Sequence, residues 1–338
     1  MKSVRIRLPT TIGSGTHLVQ PAGRDPDAYR AHLLAFGPIT SPVLESLRTV
    51  ALSELNLEIE ALIRRSGQID GEMASVELPA DPFEHGLLAW RWLSVWARTA
   101  EDLAAIVRAV ERWQMAGRPN HVECQIGHDY LRWIPAGGDE VRKILQNVGD
   151  PSRIQRLLML PTVPETMEFV SPEDAERIDA VCKRTSEDTA AWFGSVAALV
   201  TEDAHRTFVR RKHRLTATTP SKVPLWLAVE GDVTQAEAQQ AFGQGFAVID
   251  WEPGKAGASG PELIAWVTTA DDTTAYISAA MHGIEMLGTV IDAVLRLVDP
   301  KLPIVPWRSH LALSDDESAA LLALDGSDYR DHLRLGLR

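Results

Sequence analysis

The first run of the chain, "VRIRLP" from Val4 to Pro9, alternates apolar and basic side chains in the manner of a half-buried strand. From about Asp27 to Arg65 the leucines recur at helical spacing, and Gly37 and Pro38 predict a split into two helices. "GEMASVELP" then reads as a second strand. "GLLAWRWLSVWA" reads as a third, because Trp90, Trp92 and Trp96 fall at even spacing. Thr99 resembles an N-cap, with Asp102 in the capping-box position, so a helix is expected over "AEDLAAIVRAVERW", ended by Gly117 and Pro119. "NHVECQIG" supplies a fourth strand.

The same order recurs downstream. "VPLWLAVEG" is a strand, Thr234 opens a short helix, "FAVIDWE" and "ELIAWVTTA" are strands, a long helix runs from Asp272 towards Val298, and "LPIVPW" closes the set. "LLAW" followed by "TAED" in one half answers "LIAW" followed by "TADD" in the other. The reading is an α+β protein of two ferredoxin-like (βαββαβ) halves arising by internal duplication. Residues 1–138 form half one, 139–220 a central helical insert, and 221–338 half two with a C-terminal tail. Within the insert, Ser171 as N-cap, Pro172 at the first helical position and Asp174 start one helix, and a second is expected from about Glu187 to Arg214.

Size and charge narrow the classes. A chain of 338 residues exceeds what one hydrophobic core usually serves. A net charge of -12 repels a phosphate backbone and makes nucleic acid the less favoured partner. Two cysteines, Cys124 and Cys182, make neither a disulfide framework nor a zinc ribbon, and fit a reducing, cytoplasmic setting. The N-terminal segment has no apolar stretch of signal-peptide length. His282, Glu285, Asp292 and Arg296 interrupt the longest apolar run, so no membrane span is expected.

Strand alternation leaves Arg5, Arg7, Glu77, His121 and Glu123 on one open sheet face. His121 beside Glu123 has the chemistry of a general acid and base, and Arg5, Arg7 and Glu77 would line the same wall. The same charges also read as ordinary surface ion pairs. In half two the strands are apolar on both faces, which puts Trp226 and Trp266 on an opposing wall and implies a mixed pocket between the sheets. Arg206, Arg210 and His213 form a basic stripe in "HRTFVRRKHR", suited to an anion or equally to a solvated helix end.

"PGKAGASG" lacks a P-loop ending, and Cys124, His128 and Asp129 do not make a metal site. His282 lies near Gly283 and Gly288, glycines that imply close packing or a ligand at the backbone, with a bonded core histidine as the default. The expectation is a small-molecule or peptide binder, with turnover left open and no cofactor or metal. The alternatives are a nucleic-acid-binding or processing protein using residues 205–214, and a scaffold subunit covering its apolar sheet with a protein partner or a second copy.

Overall fold

The computed structural model describes residues 42–65, 81–115, 138–200, 217–218, 245–250, 262–267, 270–296, 304–305, 311–326 and 328–329. Eight helices and three short strands occur among them: α1 (Pro42–Arg65), α2 (Pro82–Met115), α3 (Gly138–Val148), α4 (Pro151–Leu157), α5 (Val163–Thr166), α6 (Pro172–Ala197), β1 (Ala217–Thr218), β2 (Gly245–Asp250), β3 (Glu262–Val267), α7 (Ala270–Leu295) and α8 (Asp315–Asp325).

Helix α2, with 34 residues and a length of about 50 Å, is the axis of the molecule. Leu88, Trp90, Trp92, Val95, Trp96, Leu103, Ile106 and Val110 are all buried, while Leu87, Arg91, Ser94, Arg98 and Asp102 recur every three or four residues as a partly exposed stripe. A wide buried face with one narrow polar stripe is the pattern of a helix packed against several neighbours. Trp92 and Trp96, four positions apart, share a helix face. Helix α7 packs along α2 in the same direction, since His85 meets Thr273 and, further along both, Trp96 and Thr99 meet Gly283. Helix α1 runs antiparallel to both, with Arg98 paired to Glu58 on one side and Arg48 to Asp292 on the other.

A second group forms around α6, against which α3, α4, α5 and α8 all pack. Ser171 caps α6 by accepting from the Asp174 N–H, with Pro172 in its first turn. Ser314 and Glu317 close a capping box on α8, and Glu317 also accepts from Arg184 of α6 at 2.8 Å. The end of α2 joins the two groups. There Arg153 of α4 donates from Nε and Nη2 to the two carboxylate oxygens of Glu111, each at 3.0 Å. Gly194, on the exposed side of α6, has nothing within 4 Å of where a Cβ would stand. Gly194→Ala is therefore expected to raise stability by about 0.5–1 kcal/mol, readable as a shifted denaturant midpoint with an unchanged slope.

This architecture overturns the expected fold class. The described part is predominantly helical and is not an α+β pair of ferredoxin-like halves. "GLLAWRWLSVWA" is helix, not strand, and Thr99 is no N-cap: it lies inside α2, with its hydroxyl donating to the Val95 carbonyl at 2.9 Å. The physical reason is that the buried face of α2 is wide enough to hold Trp90, Trp92 and Trp96 together, so their even spacing is no sign of a pleat, whereas the partly exposed Leu87, Arg91, Ser94 and Arg98 keep the helical period. The duplication fails at the elements that suggested it, because "LLAW" is helical in α2 whereas "LIAW" is extended in β3. "TAED" sits in mid-helix while the residues of "TADD" from Ala270 on open α7.

Helix α6 also runs unbroken through the expected division near Glu187. The described sheet is a three-stranded antiparallel ribbon in the order β1-β2-β3, with Phe246 opposite Trp266 and Val248 opposite Ile264. Its middle strand, β2, lies alongside α2. The strands expected over residues 4–9, 71–79, 120–127 and 223–231 lie outside the described residues.

Candidate functional site

Helix α7 is buried along most of its circumference, yet one stripe carries Ser278, His282, Glu285, Thr289 and Asp292 at alternating spacings of four and three. That stripe faces α1, and between the two helices lies a groove of about 360 Å³. Arg48, Leu52 and Asn56 line it from α1, and His282, Ile284, Glu285, Met286, Gly288, Thr289 and Asp292 from α7.

One end of the groove is closed by an ion pair. Arg48 is paired with Asp292: Nη2 donates to Oδ2 at 2.8 Å, and Nε lies 2.5 Å from Oδ1 in a charge contact that is not a hydrogen bond. The pair engages the charge of each side chain with the other. Thr289 turns its hydroxyl back on its own helix, donating to the Glu285 carbonyl at 2.8 Å.

His282 is held by its helix. Its Nδ1 lies 2.9 Å from the Ser278 carbonyl oxygen, and the Ser278 hydroxyl is 3.3 Å away. A carbonyl only accepts, so Nδ1 is a donor here, and in the neutral ring that leaves Nε2 as the acceptor. The default expectation for this histidine, a bond to a neighbour, thus describes Nδ1. Gly283, which sequence reasoning linked to close packing or a ligand, serves packing: it lies against Thr99 and Trp96. Gly288 borders the groove, next to Leu52.

A second polar cluster occupies the other side of α1. Asp102 on α2 stands near Arg98, Glu101 and Glu54, and Arg98 is paired with Glu58. Burial pushes the Asp102 carboxyl up to about 7; the Arg98 guanidinium opposes this, and the charges of Glu101 and Glu54 add to it. At the start of α2, burial lowers the pKa of His85, whose Nε2 is 3.4 Å from the Thr273 hydroxyl. Among the described residues no group of three or more His, Cys, Asp or Glu side chains could hold a metal ion.

The sequence-derived site is not the one built here. Arg5, Arg7, Glu77, His121, Glu123, Arg206, Arg210, His213 and Trp226 lie outside the described residues. Trp266 is in β3, paired with Phe246 across the ribbon. The pocket expected between two ferredoxin-like sheets has no counterpart in the described, mainly helical part. Arg48, Asn56, Glu285, Thr289 and Asp292 were missed as a set. For Glu285, Thr289 and Asp292 the signal is the 4-3-4-3 spacing of polar residues along an otherwise apolar helix; for Arg48 and Asn56, on α1, no such signal exists. Thr273–Leu295 is long and apolar enough to cross a membrane by length and composition, and 67% of its most apolar window is buried inside the fold. Set against protein-family models, curated proteins and solved structures, the chain matches none.

Proposed function

We propose that the protein binds a small organic ligand in the groove between α1 and α7. The observation that carries this reading is the coincidence of the groove with the polar stripe of α7. A helix that is otherwise apolar presents His282, Glu285, Thr289 and Asp292 to one concavity, beside Leu52, Ile284 and Met286. The lining is more polar than that of most ligand sites, with Arg48, Asn56, His282, Glu285, Thr289 and Asp292 against Leu52, Ile284, Met286 and Gly288, and about 360 Å³ is at the small end of the range of such sites. The Arg48–Asp292 pair supplies a rigid end wall, since two charges that hold one another do not need to reorganise when a ligand arrives. The proposal is one of binding and includes no chemical step.

The test is a groove-filling substitution. Thr289→Trp is expected to abolish retention of the small molecule that native mass spectrometry detects on the wild-type chain, with the unfolding transition as a control for integrity. Equal retention by both proteins, or a wild-type chain that retains nothing and responds to no compound in a thermal-shift screen, would overturn the reading.

A further inference from the structure

Building on the groove reading, we infer that the ligand is a small cation: a primary amine or guanidinium group carried on a compact apolar body. Among the described groups, Arg48 has its charge engaged by Asp292 through two contacts, so an incoming anion would have to displace a carboxylate already in place. The charge left over is that of Glu285, which is exposed and lines the groove midway along α7.

Three residues before it, on the same side of the helix, His282 also lines the groove; its Nδ1 donates to the Ser278 carbonyl, so in the neutral ring Nε2 is the acceptor. An anionic acceptor and a neutral acceptor one helical turn apart are matched by a ligand with several N–H donors on one positive centre. An ammonium has three donors and a guanidinium five, and neither has an acceptor that these groups would repel. Leu52, half-buried on α1, adds apolar surface for the ligand's carbon skeleton. A carboxylate or phosphate ligand finds the reverse: one committed cation, and two lone-pair bearers facing it.

The experiment uses the full chain and a matched set of probes: butylamine, phenethylamine and agmatine, against butyrate, 3-phenylpropionate and butanol. Binding is followed by calorimetry and by the His282 ring resonances in NMR spectra. The expected result is saturable binding of the amines at up to about millimolar concentration, a shifted His282 signal, and no comparable response to the carboxylates or the alcohol. Glu285→Gln, which keeps size and an acceptor but removes the charge, is expected to weaken amine binding about tenfold or more while the unfolding transition is preserved.

The two readings fail separately. If carboxylates or the alcohol bind as tightly as the amines, or Glu285→Gln binds amines like wild type, and Thr289→Trp still blocks whatever binds, the cation inference falls and the groove stands. If amines bind equally well to Thr289→Trp and leave His282 unmoved, both fall. Absence of any amine binding at millimolar concentration also overturns the inference.

Discussion

Asp102→Asn is expected to flatten the pH dependence of stability across the neutral range and to leave the protein more stable than wild type at pH 8. The folded chain holds the Asp102 proton up to about pH 7, because burial disfavours the carboxylate, whereas the unfolded chain releases it near 3.8. Between those values the folded state binds more protons than the unfolded one. Stability contributed by this group is therefore complete at acid pH, declines as pH rises from about 4 to 7, and is gone above that. At 1.36 kcal/mol per unit over roughly three units, the ceiling is about 4 kcal/mol.

Asparagine has the shape of the protonated acid and no proton to lose. The difference in unfolding free energy between wild type and variant, measured in denaturant at pH 5 and pH 8, isolates the effect from other titrations. That isolation matters because His85 works with the opposite sign. Its folded-state pKa is lowered, so its contribution is lost as pH falls rather than as it rises. A wild-type-minus-variant difference that is the same at both pH values would show that Asp102 does not titrate as described.

The second large effect concerns the crossing of α2 and α7. A Cβ on Gly283 would stand 2.8 Å from the Thr99 methyl and 3.2 Å from the Trp96 ring. Neither neighbour can yield cheaply. Thr99 is locked by its hydroxyl bond to the Val95 carbonyl, and Trp96 is 1% exposed in a packed core. Alanine would add about 1 kcal/mol of helix propensity, but overpacking in such a place costs about 1–3 kcal/mol, so strain wins. Gly283→Ala is expected to lower stability by up to about 2 kcal/mol, and Gly283→Leu to prevent the crossing altogether.

Gly288, one turn further along the same helix, provides the control. A Cβ there meets only Leu52 Cδ1 at 3.5 Å, an ordinary contact, so Gly288→Ala is expected to stabilise by up to about 1 kcal/mol. Thermal or denaturant unfolding of the two variants should move in opposite directions. A common direction would place the tight approach elsewhere.

Some elements were legible from local signals because local physics suffices for them. Ser171, Pro172 and Asp174 announce the start of α6 through an orphan N–H that needs an acceptor and a first-turn residue that needs no donor. The long apolar run after Asp272 is α7, and the 4-3-4-3 polar stripe that defines the groove was also in plain sight within it. What could not be seen was the partner across the groove. Arg48 and Asp292 are separated by 244 positions, and nothing near either one names the other.

Sequence by itself determined the capped helices, the net charge of -12 that weighs against a phosphate-backbone partner, and the polar residues of the groove on α7. Only the tertiary structure decided that "LLAW" would be helical and "LIAW" extended, that Gly283 serves a helix crossing, and that His282 and Glu285 share a groove with Arg48 and Asn56 of α1. The reason is length. A four-residue apolar segment such as "LLAW" or "LIAW" holds no polar position to betray its period, so its conformation is chosen by what surrounds it, and those surroundings come from distant parts of the chain.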